Sequence, residues 1–221
     1  MRVAIAGAGN VGRSIAAELI GNGHDVLLIE RDDHAVKAAT VPGARWLLAD
    51  ACEISSLDDA GLEGYQVAIA ATGDDKANLV MSLLAKTEYG VPRVVARVNH
   101  PKNEWLFNES WGVDVAVSSP RLLSALVEEA VSVGDLVRLM SFREGEASLV
   151  ELTLAEDAAL VGSRVGSVPW PPDTALVTIL RGGRVLVPSA DDPLEAGDEL
   201  LFIAAPDVEE RLGKLLTTGE A

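Results

Sequence analysis

The amino-acid sequence predicts an α/β protein: a Rossmann-like, doubly wound parallel sheet followed by a smaller α+β domain. Up to about residue 118, short apolar runs alternate with helical patterns. The runs are nearly continuous in Val, Ile, Leu and Ala, which is typical of strands buried on both faces of a parallel sheet. A glycine-rich segment directly follows the first run, and β-strand signals dominate after Ala147. Together these observations predict the order of the two domains.

The first domain is predicted to contain strands joined by helices. After the first strand, Val11, Ile15 and Leu19 recur at four-residue spacing, and Leu79 and Leu83 repeat that spacing later. Strand–helix alternation on this scale indicates right-handed crossovers and helices on both faces of the sheet. The predicted strands are residues 2–6, 26–30, 45–49, 67–71, 93–98 and 113–117.

A helix is predicted to begin at Pro120, because proline is favoured in the first turn of a helix. Its apolar residues form one stripe, which packs either on the sheet or against another subunit. Gly134 and Asp135 interrupt this pattern, and a second short helix is expected to follow up to Met140. The stripe consists of Leu122, Leu123, Leu126, Val127 and Ala130.

The remainder of the chain is predicted to form a small α+β domain. Residues 148–154 alternate between apolar and polar types, as expected for a half-exposed strand. Residues 175–188 indicate a hairpin with a Gly-Gly turn, and residues 195–204 a turn followed by a strand. An amphipathic helix is expected over 206–216, with Pro206 in its first turn. The predicted division is a nucleotide-binding domain at 1–119, crossover helices at 120–140 and a C-terminal domain at 141–221.

The composition excludes several classes of function. The formal net charge is −16, and an acidic surface repels nucleic acid and anionic lipid, so neither is an expected partner. Cys52 is the only cysteine, so no internal disulfide can form. No apolar stretch approaches the ~18 residues that span a bilayer, and the N-terminus lacks the apolar region of a signal peptide. We expect a cytoplasmic protein that reaches the membrane through a partner.

The glycine-rich segment, Gly7-Ala8-Gly9-Asn10-Val11-Gly12, matches G-x-G-x-x-G between a strand and a helix. In this pattern the first glycine permits a tight turn, the second lets a pyrophosphate approach the backbone, and the third lets the helix pack closely on the strand. The amides at the helix start then face the phosphates. Glu30 ends the second strand, where a carboxylate accepts hydrogen bonds from ribose hydroxyls and repels a 2′-phosphate. The sequence therefore predicts NAD(H) or an adenine nucleotide rather than NADP.

Other residues that follow strands are expected to line the same crevice, because ligands of such sheets lie at the carboxyl ends of the strands. Arg31 can contact a phosphate or cover the adenine, and Cys52 is expected near the adenine. Arg97 ends the fifth strand and can neutralise a phosphate. Alternatively, the aspartates cap their loops, and Arg97 is a charged side chain exposed to solvent. The further candidates are Asp50, Ala51, Thr72, Gly73 and Asp74.

No acid–base group for catalysis is evident in the sequence. A dehydrogenase needs a proton donor or acceptor opposite the nicotinamide. His24 lies in the turn into the second strand, His34 is expected at the start of the next helix, and His100 alone falls near the crevice, where a plain turn residue is favoured. No His/Cys cluster has metal-ligand spacing. We expect the nucleotide to be sensed, and the alternative is a small NAD-dependent oxidoreductase that uses His100 or a loop carboxylate.

Several segments resemble a known family, in this order along the chain. They are the G-A-G-N-V-G loop, Glu30, D-A-C-E at 50–53, A-A-T-G-D-D-K-A-N-L at 70–79, V-A-R-V-N at 95–99, L-V-G-S-R-V at 160–165 and P-L-E-A-G-D-E-L-L-F-I at 193–203. With them the chain resembles the cytoplasmic nucleotide-binding regulators of Trk/Ktr-type potassium uptake, the RCK family, built from TrkA-N and TrkA-C domains. The resemblance covers nearly all of residues 1–216.

The resemblance implies a Rossmann domain that binds NAD(H), ATP, ADP or AMP and a C-terminal RCK domain that dimerises. It implies a homo-oligomer, paired through the crossover helices into tetrameric or octameric rings, alone or with a paralogous regulator, under a membrane-embedded potassium-translocating subunit. Two positions depart from the family pattern: Asn10 stands where ATP-gated members often carry Arg, and Arg121 where some carry a cation-binding Glu. The implied pocket residues are Gly7, Ala8, Gly9, Asn10, Val11, Gly12, Glu30, Asp50, Ala51, Thr72, Gly73 and Arg97.

Overall fold

The structure is a computed structural model, and it describes residues 1–131, 133–142 and 147–219. The chain forms two compact units, Met1–Pro120 and Arg121–Ala221. Among the described residues, no helix is both long enough and apolar enough to cross a bilayer. The three-part division of the chain given above stays a prediction.

The first unit contains a parallel sheet flanked by helices. Its strands are β1 (Arg2–Ala6), β2 (Asp25–Glu30), β3 (Arg45–Leu48), β4 (Val67–Ala70), β5 (Arg93–Val98) and β6 (Val115–Ser118), and its helices are α1 (Asn10–Gly21), α2 (Ile54–Ala60) and α3 (Asp75–Thr87). The strands lie in the order β3-β2-β1-β4-β5-β6, and every pairing is parallel. The predicted doubly wound sheet is confirmed, with strand ends displaced by at most two residues.

Both faces of the central strand β1 are buried, which explains its continuous apolar sequence. Val3 and Ile5 belong to one hydrophobic cluster, and Ala4 and Ala6 belong to another. Because successive side chains of a strand point to opposite faces, the two clusters lie on opposite sides of the sheet. Small alanines on one face leave room for the helices that pack there.

The strand order places a crevice at the carboxyl ends of β1 and β4. The chain proceeds from β1 outward to β2 and β3, then returns to β4 on the other side of β1. Loops that leave two adjacent strands in opposite directions open a crevice between them. Main-chain bonds continue the pairing just past the strand ends, since Gly7 N donates to Ile29 O and Ala71 N donates to Ala6 O, both at 2.8 Å. The loops after β1, β2 and β4 therefore start side by side.

The connection between β2 and β3 differs from the prediction. The helix expected to begin at His34 is wrong, because two short 3-10 turns, Asp33–Ala35 and Ala38–Thr40, occupy this segment. The carboxylate of Asp32 accepts a 3.0 Å hydrogen bond from His34 N and caps the first turn. The second turn ends just before Val41-Pro42, and residues that precede a proline are disfavoured in helices.

The second unit is a small antiparallel sheet with one C-terminal helix. Its strands are β7 (Val137–Ser141), β8 (Ser148–Thr153), β9 (Thr174–Arg181), β10 (Arg184–Leu186) and β11 (Glu199–Ala204), in the order β10-β9-β11-β8-β7. Leu212, Leu215 and Leu216 of helix α5 (Glu209–Thr218) belong to the core cluster that covers one face of this sheet. Arg181 donates to both oxygens of the fully buried Asp198 carboxylate, at 2.7 and 2.8 Å. The predicted α+β domain and its Gly-Gly hairpin are confirmed.

Two details of the second unit correct the sequence prediction. The second short helix predicted after Asp135 is wrong, because this segment forms β7 and pairs antiparallel with β8. The short segment V-R-L-M-S at 137–141 is compatible with a strand as well as with a helix, and pairing with β8 decides between them. The last helix begins at Glu209 rather than Pro206, so the proline lies before its first turn.

Helix α4 (Ser119–Val131) starts one residue before the predicted Pro120 and carries an exposed apolar stripe. Leu123, Leu126, Val127 and Val131 are between 54% and 76% exposed. Both alternatives for the stripe, packing on the sheet and contributing the helix to another subunit, stay predictions. The side chain of Ala130, also predicted in the stripe, lies outside the described residues.

Candidate functional site

The glycine loop after β1 requires glycine at two positions for steric reasons. Gly7 has φ +94°, and a Cβ there would lie 2.8 Å from Thr72 Cα. At Gly12 a Cβ would lie 1.9 Å from the carbonyl oxygen of Gly7. Gly9 has nothing within 4 Å of the Cβ position, so the protein itself imposes no such limit there. Open space at Gly9 is what the prediction of a closely approaching phosphate requires.

Helix α1 begins directly on this loop with an uncompensated positive end. Gly9 is its N-cap and supplies no side-chain hydrogen bond, and no acidic residue lies in the first turn. The amides of the first turn of a helix have no partners inside the helix, and the helix dipole adds positive potential there. An anion at this position would therefore be bound favourably.

The carboxylate of Glu30 is held against the glycine loop. Its Oε2 atom accepts a 2.7 Å hydrogen bond from Ala8 N, and its Oε1 atom accepts from Arg31 N and Asp32 N at 2.9 and 3.0 Å. A carboxylate offers about four acceptor positions. One position on Oε2 therefore stays available for a hydroxyl group, and the three backbone bonds fix the orientation of the carboxylate toward the loop.

A cavity of about 730 Å³ lies over the carboxyl ends of β1, β2, β3 and β4. Most of the predicted site residues line it, but Ala8 and Gly12 do not: Ala8 bonds Glu30 through its amide, and Gly12 packs on Gly7. The lining residues predicted from the sequence are Gly7, Gly9, Asn10, Val11, Glu30, Arg31, Asp50, Ala51, Cys52, Thr72, Gly73, Asp74 and Arg97.

Asn78 of α3 connects the two loops on the β4 and β5 side of this cavity. Its side chain is fully buried, and its Oδ1 atom accepts from Thr72 N and Thr72 Oγ1 at 2.9 and 2.7 Å. Its Nδ2 atom donates to the main-chain oxygens of Thr72 and Arg97 at 3.3 and 2.8 Å. The turn that carries Thr72 and Gly73 is therefore fixed to the end of the strand that carries Arg97.

Asp75, in the first turn of α3, holds the segment that follows β5. Its carboxylate accepts from Asn99 N, His100 N and the side-chain amides of Asn99 and Asn103, at 2.7 to 3.1 Å. Burial by itself raises the pKa of this carboxyl, but the hydrogen bonds from Asn103, Asn99 and His100 outweigh burial and leave the pKa below its ordinary value. Asp75 therefore stays ionised and anchors this loop.

His100 does not take part in the cavity. Its backbone amide is bound to Asp75, the residue is exposed, and it is not among the residues that line the cavity. The histidine predicted to be nearest the crevice thus lies outside the cavity, as a turn residue before Pro101.

Cys52 lies in the cavity wall beside two carboxylates. Its amide donates to Asp50 Oδ1 at 2.9 Å, so Asp50 caps this turn as well as lining the cavity. Burial raises the pKa of the thiol to about 11, and Asp50 and Asp74 add to the rise while Arg31 opposes it. The thiol is therefore protonated and weakly reactive at neutral pH.

Arg97 is among the residues that line the cavity. The side chain lines the cavity, and its Nε atom is buried without a hydrogen-bond partner. A buried donor without a partner is costly.

Sequence reasoning missed several lining residues that the fold brings to the cavity. Asp32 adds a second carboxylate beside Glu30 and follows it by two positions, a spacing that signals its place once the end of β2 is known. The others are apolar and carry no sequence signal of their own. They are Ile29, Ala35, Ala49 and Ala77.

Comparison with known proteins assigns the family. The TrkA-N domain matches residues 3–119, and the TrkA-C domain matches residues 149–217. This chain belongs to the TrkA family. Its TrkA-N match covers the glycine loop, Glu30 and Arg97.

Two relatives of the TrkA family match nearly end to end. The chain is 62% identical over 216 residues to the Trk system potassium uptake protein TrkA of Mycobacterium tuberculosis, which covers 98% of both chains. It is 30% identical over 218 residues to a TrkA homolog of Methanothermobacter thermautotrophicus, covering 98% of this chain and 100% of that one. Both relatives carry names of potassium uptake proteins rather than of enzymes.

Solved structures share the fold of this TrkA-family chain. The GsuK channel bound to NAD has a TM-score of 0.67 at 15% identity, with 100% of this chain and 40% of that chain covered. GsuK bound to ADP has a TM-score of 0.52 at 25% identity, with 58% of this chain and 33% of that chain covered. The Rossmann-like fold and the small second domain are thus those of RCK proteins.

Proposed function

We propose that this chain is the cytoplasmic nucleotide-binding regulatory subunit of a Trk/Ktr-type potassium uptake system. The observation that carries the proposal is the cavity at the carboxyl ends of β1 to β4, lined by Gly9, Glu30, Thr72 and Arg97, in a chain that belongs to the TrkA family. The relative from M. tuberculosis, named for potassium uptake, supports the transport role.

The ligand is NAD(H) or an adenine nucleotide. The free acceptor position of Glu30 suits a ribose hydroxyl, and the amides at the start of α1 suit the phosphates. Arg97, which also lines the cavity, supplies a positive charge for a further phosphate oxygen, and Asp50 and Ala51 line the adenine end. A volume of about 730 Å³ is within the usual range of ligand sites. The NAD and ADP of the GsuK structures support this class of ligand.

The nucleotide acts as a signal rather than as a reactant. Among the described residues that line the cavity there is no histidine or lysine to move a proton, and His100 lies outside it. The alternative oxidoreductase would need such a group opposite the nicotinamide. The carboxylates that line the cavity are already engaged by backbone amides. Glu30 accepts three such hydrogen bonds, and Asp32, Asp50 and Asp74 accept one each.

The subunit works as an oligomer under a membrane-embedded potassium-translocating subunit. The exposed stripe of α4, with Leu123, Leu126 and Val127, is an apolar face in an otherwise acidic chain, and a second copy of the same helix would cover it. The protein is thereby peripherally associated with the inner face of the membrane, and it forms rings of four or eight copies, alone or with a paralogous regulator.

Nucleotide binding shifts the ring between conformations and so gates the membrane subunit. A ligand shifts such an equilibrium only by its difference in affinity between the two states, commonly ~1–3 kcal/mol for each site. The hydrogen bond from Asn78 to the main-chain oxygen of Arg97 couples the loop after β4 to the end of β5. A phosphate bound at Arg97 would therefore also affect the position of the loop that carries Thr72.

Calorimetry of the purified protein against NADH, NAD, ATP, ADP and AMP tests the binding. We expect at least one of them to bind, and Glu30→Gln to weaken it by roughly tenfold, because a neutral amide is a poorer acceptor for a hydroxyl than a carboxylate. Glu18→Gln, an exposed residue of α1, is the matched control and should bind as the wild type does. Absence of binding by the wild type to all five would overturn the proposal.

Potassium flux through vesicles that contain the cognate membrane subunit tests the gating. Flux should change with the nucleotide only when this chain is present, and the Glu30→Gln chain should require a higher nucleotide concentration. If the flux in the presence of the wild-type chain does not depend on the nucleotide, the gating role is overturned. The chain would then be a nucleotide-binding adaptor.

A further inference from the structure

Arg13, in the first turn of α1, places a positive charge directly outside the glycine loop. Its Nη1 atom donates to the carbonyl oxygen of Ala8, and its Nη2 atom donates to Asn10 Oδ1 at 2.7 Å. Ala8 is the same residue whose amide binds Glu30. The guanidinium and the Glu30 carboxylate are therefore bonded to opposite polar groups of one residue of the loop.

The charge of Arg13 has no counter-charge in the part of the chain that the structure describes. Its two hydrogen-bond acceptors are neutral, and no carboxylate lies within ion-pair distance of it. A cation at the start of a helix is electrostatically unfavourable, because the helix dipole is already positive there. The first turn of α1 holds no acidic residue that would offset this.

Phosphate oxygens would supply the missing counter-charge. Asn10 lines the cavity, and its side chain holds the Arg13 guanidinium, so the guanidinium lies within one hydrogen bond of a lining residue although Arg13 does not itself line the cavity. A guanidinium binds phosphate through two parallel hydrogen bonds that are stronger than those to a neutral carbonyl or amide. Exchange of Asn10 Oδ1 for a phosphate oxygen is therefore favourable.

We propose that Arg13 binds the terminal phosphate groups of the nucleotide and makes this site select ligands by their phosphate charge. The proposal rests on the nucleotide site described under the proposed function and assigns to it a residue outside its predicted set. Glu30 then recognises the sugar, which all candidate nucleotides share, and Arg13 distinguishes among them.

Calorimetry of Arg13→Gln against AMP, ADP and ATP tests the proposal. We expect the affinity for ADP and ATP to fall roughly tenfold, as for loss of one charge-assisted hydrogen bond, and the affinity for AMP to fall less than twofold. Arg13→Lys keeps the charge but loses the two parallel hydrogen bonds, so its affinity for ATP should lie between those of the wild type and Arg13→Gln. Arg211→Gln, at an exposed position of α5, removes the same charge elsewhere and should leave all three affinities unchanged.

The outcomes separate this proposal from the one on which it rests. If the wild type binds and Arg13→Gln binds all three nucleotides unchanged, or weakens all three equally, the role of Arg13 is overturned and the nucleotide site stands. If the wild type binds none, both fall. Unchanged binding of AMP by Arg13→Gln also shows that the variant is folded.

Discussion

The side-chain amide of Asn78 donates a 2.8 Å hydrogen bond to the main-chain oxygen of Arg97, which joins the start of α3 to the end of β5. The same side chain accepts two hydrogen bonds from Thr72. One fully buried asparagine thus sets the relative position of two loops that line the cavity.

Asn78→Ala should lower the free energy of unfolding by about 2–4 kcal/mol, because it leaves buried main-chain groups of Thr72 and Arg97 without partners. Urea denaturation followed by circular dichroism measures this. Asn22→Ala, at an exposed position after α1, is the control and should change the value by less than about 0.5 kcal/mol. Equal effects of the two substitutions would refute the role given to Asn78.

Asp75 should make the stability of the first unit depend on pH in the acid range. Its pKa is below the ordinary value of 3.8, so its contribution is complete above that pH and is lost as the pH falls through the lowered pKa. Asp75→Asn should therefore be less stable than the wild type at neutral pH, and the difference should narrow on acidification. Thermal melts across the acid range measure it.

Asp33→Asn is the matched control for that series, since Asp33 is exposed and its side chain is not part of the Asp75 cluster. Its stability relative to the wild type should be the same at every pH. If the difference in stability between Asp75→Asn and the wild type stays constant down to the lowest pH, the predicted coupling between protonation of Asp75 and stability is contradicted.

Cys52 should react slowly with thiol reagents at neutral pH. Burial, with Asp50, raises the pKa of its thiol to about 11 from 9.0, so the reactive thiolate is about a hundredfold scarcer than in an ordinary cysteine. The rate of maleimide labelling should still be rising at pH 10. Asp50→Asn should speed the reaction, and bound nucleotide should slow it further, because Cys52 lines the cavity.

Free glutathione, labelled under the same conditions, gives the reference rate. Labelling of Cys52 as fast as glutathione at neutral pH would show that the thiol is neither buried nor close to Asp50. Labelling that nucleotide leaves unchanged would argue that the ligand lies elsewhere.

Charges on the α4 stripe should separate the subunits. Leu123→Glu combined with Val127→Glu places two carboxylates on the exposed apolar face, and burying them against a second copy would be strongly unfavourable. Light scattering should then report a monomer where the wild type is an oligomer. Val187→Glu, at a position that is 85% exposed, is the control and should leave the oligomer intact. A double variant that keeps the wild-type mass would move the interface away from α4.

The sequence predicted the first unit well because its signals are local and strong. Continuous apolar runs mark the strands, and the glycine loop together with Glu30 marks the ends of β1 and β2. Parallel sheets bring the carboxyl ends of strands together by topology alone, so residues distant in sequence, such as Thr72 and Arg97, could be assigned to one cavity.

The errors arose where local pattern and long-range pairing compete. The segment Val137–Ser141 becomes a strand only because β8 lies beside it, and no property of its own five residues decides that. The residues that hold the cavity loops in place could not be predicted from the sequence either. Asp75 and Asn78 look like ordinary polar residues of a helix start, and their buried bonds to the β5 loop depend on tertiary placement.

The protonated thiol of Cys52 has a practical consequence for measuring distances between subunits. A new cysteine at an exposed position, for example Glu18→Cys on α1, would react with a spin label or fluorophore far faster than the native one. A label can then be attached selectively without first replacing Cys52. The nucleotide cavity therefore keeps its native lining while the distances between labelled subunits are measured.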